Sequence, residues 1–241
     1  MTISVIVPTK NEASNIPALL ATLPPTVELV VCDASTDDTV AVITRLRPER
    51  TVIVQAPGTI AEARQRGARA SSGDVLLFTD ADVEFDAEYF DRLDRHGDWD
   101  ALCGAKLSRG RFRGDYELML SAQAVFYRCF GIAGASGSNM LITRRAFWEL
   151  GGFRPRLRCN EDTELFLRAN RRGFKTRFDE HLVVWANDHR RLERGRLMKA
   201  AHSFVRNFLL YFVCCRPRLP RLLEHDWGYW STSNGPHRLL Y

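Results

Sequence analysis

From Ile3 to Asp82 the chain alternates short apolar runs with longer stretches in which apolar residues return every three or four positions. "ISVIVPT" (Ile3–Thr9) closes on a proline and polar residue, and reads as a buried strand. In "NEASNIPALLATL", Asn11 is placed to cap, Glu12 falls in the first turn, and Ile16, Leu19, Leu20 and Leu23 have helical spacing. "VELVVCDAS" predicts a second strand, and "TDDTVAVITRL" a second helix with Val40, Ile43 and Leu46 on one face. "RTVIVQAP" is a third strand, "GTIAEARQRGARASSG" a third helix ended by Gly73, and "DVLLFTDAD" a fourth strand. This alternation predicts a parallel sheet with right-handed crossovers. The strands are apolar on both faces, as in a sheet covered on both sides. Ligands of such sheets bind beyond the carboxyl ends of the strands, where Asp33 and Asp80 fall.

After about residue 90 the pattern loosens. "DALCGAKL" reads as a strand and "DYELMLSAQAVFYRCFG" as a long helix. "GASGSNMLITRRAFWELGGF" predicts a loop, a short strand and a helix with Gly151 and Gly152 at its end. "NEDTELFLRANRRG" predicts a capped helix closed by Gly173, and "KTRFDEHLVVWAND" one or two strands. No linker separates independent domains.

Composition narrows the class. The 241 residues suffice for a core without disulfides, and 45% hydrophobic with 26% charged residues is ordinary for a globular protein. Six cysteines, Cys32, Cys103, Cys129, Cys159, Cys214 and Cys215, form no CxxC pair and are expected as reduced core residues of a cytoplasmic protein. The amino terminus has no secretion signal pattern. No run reaches the roughly 18 apolar residues that span a bilayer. "FVRNFLLYFVCC" (Phe204–Cys215) comes nearest, and reads either as a core helix with a basic end or as a helix on a membrane surface. Residues 1–90 carry 7 Lys and Arg against 13 Asp and Glu, net −6, while residues 91–241 carry 27 against 16, net +11. The second part therefore suits an anionic partner, phosphate or membrane. No nucleic-acid motif accompanies the charge, so nucleic acid is not expected as a partner.

The chemistry concentrates in "LLFTDADVEFD", where Asp80, Asp82 and Glu84 occupy alternate positions after an apolar run. On an extended strand the three carboxylates point the same way. Like charges so crowded need a cation among them. Hard oxygen donors suit Mg²⁺ or Mn²⁺, which commonly combine one or two carboxylates with substrate phosphates. A solvated acidic turn at a strand end is the alternative.

The ordered set "SVIVPTKNEASNI", "VVCDASTDDTV", "AEARQRGARASSGDVLLFTDAD", "SGSNMLITRRAFWELGGF" and "NEDTELFLRANRRG" resembles glycosyltransferase family 2, over roughly Ile3 to His189. The resemblance implies a GT-A, Rossmann-like single α/β domain with a mostly parallel central sheet flanked by helices. It would comprise residues 1–200, with a nucleotide-binding half (1–100) and an acceptor-binding half (101–200), followed by a helical C-terminal extension (201–241). It implies an inverting transfer from a nucleotide-diphosphate sugar donor, with Mn²⁺ or Mg²⁺ as cofactor. Pro8, Thr9 and Glu12 would surround the nucleotide, Asp33 would contact base or ribose, and Arg64 would steady the base or diphosphate. Asp80 would lie near ribose and metal, and Asp82 would be the principal metal ligand. Glu84 stands where some polyprenyl-phosphate sugar synthases use Gln as a further ligand. Asn139, in the segment facing sugar and acceptor, would help bind the donor. Asp162 would be the general base with Glu161 beside it.

His189 is a further metal or diphosphate contact, or a surface residue of "NDHRRLERGR", and Arg190 and Arg191 either clamp the diphosphate or begin a solvated basic helix. Three features depart from the family pattern. "CDAS" replaces "DDGS", Gln65 stands where Asn is frequent, and the QxxRW pattern of processive enzymes is absent, so single transfers are expected. The acceptor is open: a polyprenyl phosphate, a surface glycan, a glycolipid or a small metabolite. The basic second part favours a lipid-linked acceptor and peripheral contact with the inner face of the cell membrane. Three other readings fit less well. A dehalogenase-type phosphatase needs Thr or Val where Glu84 stands, and a sugar nucleotidyltransferase needs a glycine-rich opening that "PTKNEASN" lacks. A non-catalytic nucleotide-sugar-binding or membrane-scaffolding protein would not need both Asp82 and Asp162.

Overall fold

The computed structural model describes residues 1–131, 136–154, 157 and 160–187. Their framework is one eight-stranded sheet in the order β3-β2-β1-β4-β7-β6-β8-β5. The strands are β1 (Ile3–Thr9), β2 (Glu28–Asp33), β3 (Thr51–Gln55), β4 (Val75–Phe78), β5 (Val83–Phe85), β6 (Ala101–Leu107), β7 (Met140–Thr143) and β8 (Thr176–Ala186). The first four pair in parallel, as the βα alternation predicts. Beyond β4 the sheet turns mixed: β7 is antiparallel to β4 and β6, β8 runs parallel to β6, and β5 is antiparallel to β8. The sheet runs unbroken through the β4–β7 junction, so the two halves of the sequence share one hydrophobic framework.

The helices are α1 (Ile16–Ala21), α2 (Thr39–Leu46), α3 (Ile60–Ala70), α4 (Tyr89–Arg95), α5 (Arg113–Phe130), α6 (Arg144–Glu149) and α7 (Glu161–Arg171). α3 opens with a capping box: the Thr59 hydroxyl accepts from the Glu62 N–H, and the Glu62 carboxylate accepts from the Thr59 N–H at 2.8 Å. Its inner face carries Ala61, Ala63, Gly67 and Ala68, small residues that bring the helix close to β1 and β2. A methyl group on Gly67 would lie 2.4 Å from Ile6 and 3.0 Å from the Cys32 sulfur. The two sheet faces carry separate apolar clusters, one around Val5, Leu29, Leu77 and Tyr89, the other around Ile6, Phe78, Met140 and Phe147.

Several elements differ from the sequence pattern. α1 starts at Ile16, not near Asn11, because Asn11 adopts a left-handed φ of 57° and its side-chain carbonyl accepts from the Thr36 N–H. The carbonyl of Glu12 closes the intervening turn, and Pro17 then sets the first helical turn. On α2, Thr39 and Ile43 are buried, whereas Leu46, the last residue of the helix, is half-exposed. β4 ends at Phe78, so Thr79–Asp82 form a turn instead of continuing the strand. α4 was not foreseen; its apolar signal is confined to Tyr89, Phe90 and Leu93. Cys32 and Cys103 are buried thiols as expected, but Cys129 is exposed on α5. Cys159, Cys214 and Cys215 and the Phe204–Cys215 run lie outside the described residues.

Candidate active site

The carboxyl ends of the parallel strands converge on a polar crevice. Thr9 and Asp33 end β1 and β2 and are register partners. The Asp33 carboxylate is 2% exposed and accepts from the Thr9 hydroxyl at 2.7 Å, the Ser35 hydroxyl at 2.6 Å and the Ser35 N–H at 3.2 Å. In this form it ties the two strand ends together. Pro8 is buried beside it, and Glu12 accepts from the Asn15 amide at 2.6 Å on the crevice rim.

The centre is Arg64, projecting from α3 and 2% exposed. One guanidinium nitrogen donates to Glu161 at 2.5 Å. The other donates to Asp80 at 3.0 Å and to the Gly137 carbonyl at 2.9 Å. Burial opposes the guanidinium charge, but Glu161, Asp80 and Asp162 together outweigh it and hold its pKa above the ordinary arginine value. Glu161 shows the reverse. Burial raises its pKa, Arg64 lowers it, and nearby Asp162 and Asp80 raise it again. One cation among three carboxylates leaves a net negative cluster, so a raised Glu161 is the physically consistent direction. With its two terminal nitrogens engaged by three protein acceptors, this guanidinium braces the site.

The turn Ser136–Asn139 is stitched onto this cluster. The Gly137 N–H donates to Asp162 at 2.6 Å. A side chain at Gly137 would come within 2.4 Å of both terminal Arg64 nitrogens, so only glycine lets the backbone approach. The Ser138 hydroxyl donates to Asp80, and its carbonyl accepts from Thr79 at 2.8 Å. Asp162 occupies the first turn of α7, where the helix macrodipole favours a negative charge. Its second oxygen accepts from the Thr163 N–H at 2.6 Å, and the residue stays partly exposed.

Lys106, at the end of β6, completes the crevice. Its ammonium donates to the Ser138 hydroxyl at 3.0 Å and lies 3.8 Å from both Asp80 and Asp82. The two aspartates of the DxD motif thus share one cation. Glu84 does not join them. The turn at Thr79–Asp82 breaks the strand alternation, and Glu84 on β5 instead accepts from the Asn187 amide at 2.7 Å and faces Arg109 at 3.6 Å. Among the described residues no group of three or more His, Cys, Asp and Glu side chains is arranged to hold a metal, so the three-carboxylate ligand set is not gathered. Two carboxylates focused on one cationic point still fit Mg²⁺ or Mn²⁺ that takes its remaining ligands from a diphosphate. An open cavity of about 460 Å³ beyond Glu84 is lined by Glu84, Asp86, Asp91 and Arg109 among others. Three carboxylates against one guanidinium disfavour a diphosphate there.

Asn139 is placed in the core. It is fully buried; its amide donates to the carbonyls of Ala105 at 2.9 Å and Leu182 at 2.7 Å, and accepts from the Tyr89 hydroxyl at 2.6 Å. It ties β6 and β8 to the start of β7 and spends both its N–H donors inside the protein. Gln65 accepts from the Phe153 N–H at 2.9 Å, so it holds the segment after α6 against α3. Cys32 faces α3, where burial lifts its thiol to about 11, and so keeps it neutral. His189 and Arg191 lie outside the described residues.

Lys106, Ser138 and Gly137 were not singled out in the sequence. Lys106 carried one signal, a cation at the polar end of the apolar run "ALCGA".

The DxD turn, Arg64, Lys106 and the Gly137–Ser138 turn fall within a match to known proteins; α7 follows it in the chain. A model of glycosyl transferase family 2 matches residues 4–151, more than half of the chain. The chain belongs to glycosyltransferase family 2. It is 24% identical over 254 residues to the succinoglycan biosynthesis protein ExoA of Rhizobium meliloti (strain 1021), covering 92% of this chain and 70% of ExoA. Among solved structures it is similar to the mannosyltransferase PcManGT of Pyrobaculum calidifontis in complex with GDP-Man and Mn²⁺. That match has a TM-score of 0.68 at 21% identity over 92% of this chain and 66% of that one. A structure of S. aureus TarS with UDP-GlcNAc gives a TM-score of 0.60 at 21% identity, over 78% of this chain and 59% of that one. These structures share the curled mixed sheet, and the chain spans less than two thirds of their length.

Proposed function

We propose that this glycosyltransferase is an inverting, divalent-metal-dependent enzyme. It would move a sugar from a nucleotide-diphosphate sugar to an acceptor hydroxyl or phosphate, with Asp162 as general base. The observation that carries the reading is the cluster that fixes Asp80, Asp82 and Asp162 around one crevice through Arg64, Lys106 and the Gly137–Ser138 turn. Nucleotide sugars bound to PcManGT and TarS support the donor class, and ExoA supports a role in surface-glycan assembly.

The chain's residues divide the reaction between them. Asp162 accepts the proton of the acceptor hydroxyl as its oxygen attacks the anomeric carbon. The bond from that carbon to the diphosphate oxygen breaks, and its electron pair leaves with the diphosphate. Attack from the face opposite the leaving group inverts the centre, through an oxocarbenium-like transition state. Asp80 and Asp82 would hold Mg²⁺ or Mn²⁺, and the ion when bound would stabilise the charge gathered on the leaving diphosphate. Arg64 keeps Asp80 and Glu161 in place, and the two N–H donors to Asp162 orient its carboxylate. An acceptor that is already a phosphate anion would ask less of Asp162.

A panel of UDP, GDP, dTDP and CMP, each with and without Mn²⁺, tests the donor site by melting temperature. One nucleotide should raise it only with metal, by mass action on the native state. No shift with any of them at millimolar concentration would sink the reading.

A lipid-linked acceptor is favoured by the outer face of α5. Leu118, Ala122, Val125 and Cys129 recur there at helical spacing and are exposed, Leu118 to 72% and Val125 to 56%. Exposed Arg111 and Arg128 flank the stripe, while Arg113 pairs with Glu117 on the same helix at 2.6 Å; an apolar stripe with basic residues at both ends suits an anionic bilayer surface. No helix among the described residues is long and apolar enough to cross a membrane, so contact through α5 would be peripheral. The protein should sediment with anionic vesicles at low salt, and Leu118→Asp with Val125→Asp should weaken that; an undiminished bound fraction in the double variant would remove α5 from the contact.

A further inference from the structure

The geometry points to Lys106 as a built-in counter-cation that makes metal binding depend on the nucleotide, an inference that rests on the metal-dependent reading above. Its ammonium, 17% exposed, lies 3.8 Å from Asp80 and from Asp82 and is anchored by the Ser138 hydroxyl at 3.0 Å. Asp80 is further neutralised by Arg64 at 3.0 Å. Before any ligand arrives, the two carboxylates thus already lie against Lys106, and Asp80 also against Arg64, whose charge it divides with Glu161. A dication entering alone meets a partly neutralised pair with an ammonium beside it, and must displace Lys106 or endure its repulsion. A nucleoside diphosphate reverses this balance, because its oxygens bring two or more negative charges that both the dication and the displaced ammonium can meet. Metal and nucleotide therefore load as a coupled pair, each raising the affinity of the other by the same factor. Lys106 acts through the carboxylates and is a positioning residue for the metal. The arrangement keeps the acidic crevice stable when empty, and withholds the cation until a diphosphate is present to be activated.

The test is Mn²⁺ affinity of the full chain, read from the free Mn²⁺ signal in electron paramagnetic resonance, with no nucleotide and with saturating UDP or GDP. Without nucleotide, Lys106→Met should bind Mn²⁺ at least about tenfold more tightly than the unaltered chain, since a unit positive charge near the ion is gone. Lys106→Arg should resemble the unaltered chain. The gain in Mn²⁺ affinity on adding the diphosphate should shrink in Lys106→Met. Its melting temperature without metal should fall and recover with Mn²⁺, a response that lost packing alone would not give. Lys106→Gln serves the same comparison should the Met variant fail to fold. Equal or weaker nucleotide-free Mn²⁺ binding in the Met and Gln variants, with Mn²⁺ binding intact in the presence of diphosphate, overturns the role of Lys106 and leaves the metal site standing. No Mn²⁺ binding by any of the proteins, with or without UDP or GDP, overturns both.

Discussion

Asp162→Asn should lower the transfer rate by about 10²- to 10⁴-fold, the usual contribution of a placed general base. It should leave the nucleotide-dependent rise in melting temperature nearly unchanged. The carboxylate is held at both ends: one oxygen accepts from the Gly137 N–H and the other from the Thr163 N–H, each at 2.6 Å. Asparagine keeps only one acceptor oxygen, and its amide nitrogen would face an N–H donor. A stability loss of about 1 kcal/mol is therefore expected beside the catalytic one. Melting curves separate the two, because a loss of that size cannot account for a rate drop of several orders when the protein stays folded at assay temperature. Equal turnover by both proteins would remove Asp162 from the base role. A preserved rate with a phosphate acceptor, beside a lost rate with a hydroxyl acceptor, would identify proton removal as its task.

The parts of the fold that were legible are those whose signal is local. β1 through α3 alternate strongly, and each strand carries a continuous apolar run bounded by polar residues. The DxD cluster was legible as chemistry but not as geometry. Extending the strand pattern through Glu84 placed three carboxylates on one side, whereas the chain turns at Thr79–Asp82 and sends Glu84 to a strand paired with β8. That turn follows from contacts distant in sequence, Thr79 to Ser138 and Asp82 to Asn187, which no periodicity reveals. Asn139 and Ser138 are neighbours in "SGSN", yet one locks the core and the other contacts Asp80. Motif order located the segment, but only the strand register decides which of the two side chains turns inward. Lys106 was legible only as a cation at a strand end: such a lysine usually meets solvent, and here β6 delivers it to the aspartates through the mixed half of the sheet.

Arg64→Met should carry the largest cost in stability. The guanidinium serves Glu161, Asp80 and the Gly137 carbonyl, and Glu161 is buried. Removing one partner of a buried ion pair and leaving the other costs about 3–5 kcal/mol. The midpoint of urea unfolding reports it, with an unchanged slope if the native state stays compact. The loss should also depend on pH. Burial already raises the Glu161 pKa, Arg64 is what lowers it, and the variant lacks that opposing charge. A carboxyl whose folded pKa stands above its unfolded value favours the folded state at low pH. That contribution is lost as pH rises through the folded pKa. The gap between Arg64→Met and the unaltered chain should therefore narrow as pH falls below neutrality toward the ordinary glutamate range. Adding Glu161→Gln to Arg64→Met should flatten this dependence and recover part of the stability, because the stranded charge is gone. A gap that stays constant with pH would show that Glu161 is not the stranded group, and a cost within about 0.5 kcal/mol, as for an ordinary surface substitution, would remove Arg64 from the centre of the site.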